Sequence, residues 1–289
     1  TKAPTTKMPT KCPTEAAGAA SLNHAWDLTE GNEDASKIPD SQGQGQGWGV
    51  AAWPSPTNDY ATVSVDGRTF NGVSQYLALD PPSNLQFGDV ISIEMRVKWA
   101  TDAGSSGERP LFDCMSGTTA APQAPWIRLY STIQTSTGGL STVRVEGHVA
   151  LSTAEHQQSN TPFVCSTQLP LNTWHHIVLT ITTSTHLHTN KAFLYANGVQ
   201  CGEYDLTSLR ALRDFTPARC GIAKDLVSID SPNFFKGTIS ALKLYGGALD
   251  QAEVTAAYEA CSGSCSGCGL ASGTGSSTGS GSGSGSGSG

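Results

Sequence analysis

Apolar and polar residues alternate with a period of two through most of the central chain. The pattern runs through "ATVSVDGRTF", "QYLALD", "VISIEMRVKW", "WIRLY", "STVRVEGHVAL", "HHIVLTITT" and "KAFLYANG". Successive side chains on a strand point to opposite faces, so this period predicts short β-strands. Gly, Pro, Asp and Ser clusters punctuate the runs, and no helical segments of roughly 10–15 residues alternate with them. That arrangement points to packed antiparallel sheets rather than a parallel sheet with crossover helices. One helix is expected near the end, in "LDQAEVTAAYEA". Asp250 can cap it while Glu253 reaches back, ahead of an apolar stripe of Val254, Ala257 and Tyr258.

Four of the seven histidines fall within "NTWHHIVLTITTSTHLHTNKAFLYANGVQ". On an extended strand His175 shares a face with Ile177, Leu179 and Ile181, whereas His176 shares the other with Trp174, Val178 and Thr180. Adjacent histidines on opposite faces cannot close on one metal. His186 and His188 lie in a polar stretch that reads as a loop. The Asn197-Gly198 pair is a strong hairpin signal, so the segment reads as two antiparallel strands of scaffold.

The flanks differ in composition. Residues 1–20 are rich in Thr, Pro and Lys and read as a linker or stalk. Residues 262–289 carry cysteines and then run into Gly-Ser repeats with almost no apolar area to bury. Between them, residues 21–261 form one region with no internal linker. The formal net charge of −7, from 17 basic and 24 acidic residues, excludes a nucleic-acid partner that would need clustered Lys and Arg. No apolar run approaches the roughly 20 residues that span a bilayer. The first residue is Thr1 rather than Met, as expected of a processed or excised piece.

Eight cysteines without paired zinc-knuckle spacing read as structural disulfides, and so as an extracellular or cell-surface protein. We expect Cys201 to pair with Cys220, across a connection of roughly 18 residues. Cys114 with Cys165 is the next expected pair, with Cys12 joined to one of the last three cysteines.

Taken in order, "FNGVSQYLAL", "FGDVISIEMRVKW", "LFD", "NTWHHIVLT", "AFLYANGVQ" and "FFKGTISALKLYGGALDQAEV" resemble the laminin-G-like group of the concanavalin-A-like lectin/glucanase superfamily. Upstream, "HAWDL" and "IPDSQGQGQGWGV" are similar to the opening strand and turn of such domains. The resemblance implies an all-β fold: a two-sheet antiparallel jelly-roll sandwich with one short C-terminal helix and, here, flexible flanks.

Members of that superfamily include catalysts and binders, so the sites need separate inspection. Its glycosidases resemble one another in a strand with paired carboxylates. Here the similar-looking strand has Glu94 alone, with Ser92 and Arg96 as same-face neighbours. A lone strand Glu beside a cation reads as half of a cross-strand ion pair. Nucleophile, zincin and phosphate-loop motifs are missing from the sequence, so no catalytic residue and no enzymatic activity are expected. Calcium is the one cofactor the resemblance raises, with Asp66, Asn71 and Asp113 as candidate ligands. Asp66-Gly67 and Asn71-Gly72 are equally ordinary turn pairs.

Two function classes follow. One is a glycan- or protein-binding module, in which Trp48, Trp53, Tyr60 and Trp126 could stack on sugar rings. The other, slightly favoured on sequence, is a non-catalytic subunit of an extracellular filament, coat or surface appendage. Its partners would be other extracellular chains or copies of itself. Ordering a Gly-Ser tail costs about 1–2 kcal/mol per residue, so an ordered tail would need contacts from outside the domain. O-linked sugars on Ser272, Ser276, Ser277, Thr278 and Ser280 could supply part of that surface.

Overall fold

The computed structural model describes residues 22–28, 49–52, 61–80, 89–101, 107–116, 126–135, 139, 141–150, 163–183, 190–206, 217–226 and 233–263. The strands in chain order are β1 (Leu22–Asp27), β2 (Gly49–Ala52), β3 (Thr62–Ser64), β4 (Gly67–Asn71), β5 (Leu77–Asp80) and β6 (Val90–Trp99). There follow β7 (Glu108–Met115), β8 (Trp126–Thr135), β9 (Ser141–Ala150), β10 (Phe163–Val164), β11 (Leu169–Pro170) and β12 (Trp174–Thr182). The last are β13 (Lys191–Ala196), β14 (Val199–Asp205), β15 (Arg219–Ile222) and β16 (Lys236–Tyr245), before helix α1 (Gln251–Gly263).

The strands form two antiparallel sheets, the jelly-roll sandwich implied by the resemblance. The first sheet runs β14-β13-β12-β6-β16-β4-β3, with β1 also paired to β16. The second runs β10-β9-β8-β7-β15-β5-β2, with β11 also paired to β9. Ile91, Ile93, Met95, Val97 and Trp99 on β6 and Ile177, Leu179 and Ile181 on β12 belong to one buried cluster with Ile127, Leu129 and Ile133 on β8 and Val143, Val145 and Val149 on β9. These are the inward halves of the alternating runs. Trp99 also donates from Nε1 to Ser131 Oγ at 2.8 Å, a hydrogen bond between the two sheets inside the core.

Local signals act as their chemistry requires. Asn197 and Gly198 both take positive φ (52° and 81°) and turn β13 into β14, a conformation that Asn and Gly tolerate best. At Gly147 a Cβ would lie 2.2 Å from the Phe163 ring, so only glycine lets β10 lay that ring on β9. At the helix start, Glu253 N–H donates to Asp250 Oδ1 at 2.8 Å and Asp250 N–H to Glu253 Oε2 at 2.9 Å, the expected capping box. The single run "ATVSVDGRTF" is broken by a turn at Val65-Asp66 into β3 and β4.

The disulfides correct the expected pairing. Cys114 bonds Cys220, and Cys165 bonds Cys201. Cys201 sits on β14 at the edge of the first sheet, whereas Cys220 lies on β15 inside the second, directly opposite Cys114 on β7. Cys201 and Cys220 are close in sequence but lie in different layers, so neither that pair nor the expected Cys114–Cys165 pair forms. The Cys165–Cys201 bond instead joins the second sheet beside β10 to β14 of the first, where Ser166 N–H also donates to Cys201 O. Cys261 is buried at the end of α1. Cys12, Cys265 and Cys268 lie outside the described residues.

Non-reducing peptide mapping is expected to recover Cys114–Cys220 and Cys165–Cys201 peptides, and a Cys201–Cys220 peptide would overturn this pairing. The two bonds span 106 and 36 residues. In the chain-entropy model, removing the first by double alanine substitution costs about 5 kcal/mol and the second about 4 kcal/mol, read from urea midpoints.

Candidate ligand-binding face

Each sheet has an outer face, and the two are put to different uses. On the first sheet, Glu94 pairs across the strands with Lys243 on β16 and Val178 on β12. Its Oε1 accepts from Lys243 Nζ at 2.9 Å and its Oε2 from the Tyr245 hydroxyl at 2.5 Å. His176 Nε2 lies 3.4 Å from Oε1. Burial opposes ionisation of Glu94, but the His176 ring, the Lys243 ammonium and the Tyr245 hydroxyl together hold it well below the usual carboxylate range. Beside this cluster Val178, Tyr195, Tyr245, Leu249 and Val254 of α1 form a second small core. Glu94 is thus the ion-paired strand residue its neighbours suggested, and it is closed off from solvent.

The histidine pair divides as the alternation required. His175 turns inward, where Nε2 meets Pro170 O at 2.9 Å and Nδ1 meets Asn197 Nδ2 at 3.1 Å. His176 turns outward to Glu94 and the Tyr258 ring. His186 and His188 lie outside the described residues.

The outer face of the second sheet carries a continuous polar network. On β8 the outward positions are Trp126, Arg128, Tyr130 and Thr132, and on β9 they are Arg144, Glu146 and His148. The Arg128 guanidinium lies 5.6 Å from the Trp126 ring and 5.5 Å from the Tyr130 ring. It also contacts Glu108, Asp113 and Asp225 at 3.3, 3.3 and 3.2 Å. Three carboxylates share one cation, and the most enclosed of them gives way. Burial pushes Asp113 up to about 7, against the pull of Arg128 and of a hydrogen bond from Leu226 N–H. The Tyr130 hydroxyl meets His148 Nε2 at 2.5 Å and Glu146 Oε2 at 3.3 Å. Glu146 Oε1 accepts from Thr132 Oγ1 at 2.6 Å and from Arg144 Nε at 2.9 Å.

Exposure changes along this face. Trp126, Tyr130, Glu146 and Asp113 are buried, and Leu226 packs against Trp126 and Met115 at that end. At the other end Glu108, Thr132 and Arg144 stand directly opposite one another across β7, β8 and β9, all half-buried. Gln134 and Thr142 form a similar pair beside them. The open end is a strip of carboxylate, hydroxyl, guanidinium and amide groups. The buried His148–Tyr130–Glu146 chain holds two of its members, Thr132 and Arg144, in place.

Several expected site residues fall elsewhere. Trp126, expected as an exposed stacking ring, is 3% exposed, because the strand that carries it is overlaid at that end. Trp48, Trp53 and Tyr60 lie outside the described residues, as do Ser272, Ser276, Ser277, Thr278 and Ser280. The calcium candidates do not converge. Asp66 lies in an exposed turn and Asn71 at the end of β4, both in the first sheet, whereas Asp113 is buried in the second beside Arg128. Asn71 Oδ1 accepts from the backbone N–H of Val73, Ser74 and Gln75, which is turn chemistry. These residues do not fit a calcium ion, and no metal-holding group of three or more His, Cys, Asp or Glu occurs among the described residues.

Sequence reasoning passed over Arg128, Tyr130, Thr132, Arg144, Glu146 and His148. The period-two pattern of "WIRLYSTIQT" and "STVRVEGHVA" already places each set on one face of its strand. What it lacks is the pairing of β8 with β9, which brings the two sets together.

Comparison with known proteins adds the lineage. The family model of the concanavalin A-like lectin/glucanases superfamily matches residues 70–255. No curated protein matches in sequence. Among solved structures, domain 4 of an extracellular arabinanase from Geobacillus stearothermophilus, in complex with arabinotriose, is 18% identical with a TM-score of 0.48, covering 83% of this chain and 98% of that one. The CBM40 of the Ruminococcus gnavus IT-sialidase, bound to α2,3 sialyllactose, is 17% identical with a TM-score of 0.44, covering 58% and 82%. A Trypanosoma rangeli sialidase is 14% identical with a TM-score of 0.53 over 82% of this chain and 32% of its own, a likeness of fold.

The buried clusters make two testable statements. Glu94→Gln removes the buried charge that Lys243, Tyr245 and His176 close around and is expected to cost about 3–5 kcal/mol in urea unfolding. His148 is lowered to about 4, first by burial and then by Arg128. A lowered histidine contributes stability that is complete above about 6.5 and lost as pH falls towards 4, here roughly 3 kcal/mol. Asp113 is raised and acts in the opposite sense over the same interval, so the comparison must be made against the parent. His148→Gln is expected to gain stability relative to the parent between pH 6.5 and 4, and a parallel pH profile for the two proteins would refute the assignment.

Proposed function

Because the chain belongs to the concanavalin A-like lectin/glucanase superfamily, we propose that it is an extracellular, non-catalytic glycan-binding module that uses the open strip Glu108–Thr132–Arg144. The observation that carries this reading is the buried carboxylate of Glu146, which fixes Thr132 and Arg144 at the half-exposed end of the face. Fixed donors and acceptors on a rigid sheet suit a polyhydroxyl ligand, because the ordering cost of the side chains is already met before binding. Arg144 gives Nε and Nη2 to Glu146, while Glu108 and Thr132 add acceptor and hydroxyl chemistry.

A hydrolytic role has less support. Among the described residues of the strip Glu108 is the one carboxylate, and glycoside hydrolysis needs two facing the scissile bond. Glu146 receives hydrogen bonds at both oxygens, and Glu94 lies beneath the helix-side core of the other sheet. Two disulfides fit an oxidising, extracellular setting. The filament or coat reading rests on the C-terminal tail, which lies outside the described residues, so the binding class is preferred.

A panel of neutral and acidic oligosaccharides screened against the intact protein is expected to yield a ligand. Arg144→Ala and Thr132→Val should each weaken its Kd by about tenfold, a change of about 1.4 kcal/mol; each also takes a hydrogen bond from the buried Glu146 carboxylate and lowers the thermal midpoint, so binding is compared below the midpoint of each variant. A panel with no ligand, or a ligand held equally well by both variants, would sink this reading.

A further inference from the structure

Glu146 holds both Thr132 and Arg144, and the way it holds them fixes what each can still offer a ligand. Thr132 commits its one hydroxyl proton to Glu146 Oε1 at 2.6 Å, so its oxygen faces a ligand as an acceptor. Arg144 turns Nε and Nη2 to the same oxygen, both at 2.9 Å, and keeps donors on Nη1. Glu108, opposite Thr132 on the far side, carries a carboxylate, which accepts. Among the described residues its side chain is engaged by Arg128, through Oε2 at 3.3 Å. A carboxylate has about four lone-pair sites, so most of its accepting capacity stays open, on a side chain that is 39% exposed. The row therefore reads acceptor, acceptor, donor across two strand spacings, about 10 Å.

Charge narrows the choice further. Arg128 lies within 3.3 Å of three carboxylates, on Glu108, Asp113 and Asp225, so its single charge does not fully neutralise Glu108. Arg144 is already paired with Glu146. A ligand carboxylate or sulfate seated on this row would meet Glu108 and Glu146 at close range, and like charges held together oppose binding. An amino sugar would satisfy Glu108 but bring a further cation beside Arg128 and Arg144. A pair of adjacent neutral hydroxyls meets neither obstacle, and the two can donate together to Glu108 and Thr132.

We propose that Glu108 sets the specificity of this face: it selects neutral glycans with a free vicinal diol and rejects glycans that carry carboxylates or sulfates. The diol donates to Glu108 and Thr132, and a neighbouring sugar oxygen accepts from Arg144. This selectivity rests on the strip being a glycan-binding site, and adds the chemistry of the sugar and the residue that reads it.

The test is calorimetric titration of the intact protein with mannotriose and xylotriose, which carry cis and trans vicinal diols. The same trisaccharides with those diols O-methylated, and trigalacturonate, complete the set. At least one neutral trisaccharide is expected to bind, with its methylated form and trigalacturonate each at least tenfold weaker. Glu108→Gln keeps one acceptor oxygen but loses the charge. It should weaken the neutral trisaccharide at least tenfold without weakening trigalacturonate, whereas a purely structural role for Glu108 would weaken both alike. Thermal melts confirm that the variant is folded, and if it is not, the methylated sugars and trigalacturonate still decide the matter on the parent protein. No binding of either trisaccharide, equal binding of free and methylated forms, parent preference for trigalacturonate, or an unchanged preference in folded Glu108→Gln would each overturn the proposal. A neutral trisaccharide lost in Arg144→Ala but unaffected by methylation and by Glu108→Gln would uphold the binding face while this selectivity fails.

Discussion

The apolar seam between the two sheets sets what every other residue can do. Side chains on a strand alternate in direction, so each residue committed to the seam commits its neighbour to an outer face. Ile93, Met95 and Val97 enter the seam from β6, which sends Glu94 and Arg96 outward. Ile127, Leu129 and Ile133 enter from β8, which sends Arg128, Tyr130 and Thr132 outward. The candidate sites are by-products of the same period that builds the core.

The two outer faces then diverge according to what covers them. On the first sheet, the segment leading into α1 and the helix itself bring Leu249 and Val254 over Val178 and Tyr245. Enclosure there makes an unpaired Glu94 untenable, and Lys243, Tyr245 and His176 close around it. On the second sheet, enclosure comes at the Trp126 end and falls away toward Thr132 and Arg144. Buried polar groups must find partners, and the partners form a chain that ends at half-exposed side chains. Structural satisfaction at one end becomes preorganisation at the other.

The covalent links follow the layers rather than the sequence. Cys114–Cys220 ties two neighbouring strands within the second sheet, and Cys165–Cys201 joins the edges of the two sheets. The second bond, the hydrogen bond from Ser166 to Cys201 and the close approach of Gly202 to Val164 O all lie on the β10–β14 side. Together these contacts close that side of the sandwich.

Local chemistry alone determined a good deal. The period of two gave the strands and the opposite facing of His175 and His176. Asn197-Gly198 gave the hairpin, Asp250 with Glu253 gave the start of the helix, and the order of motifs gave the family. Each of these depends on residues a few positions apart, or on a pattern along one strand. Tertiary structure alone decided which strands became neighbours. It paired Cys220 with Cys114 instead of Cys201, buried Trp126, set Asp113 beside Arg128 rather than near Asp66, and joined the outward side chains of β8 to those of β9. Pairing between distant strands is set by the joint burial of the whole seam, a property of all the strands together that no single segment carries.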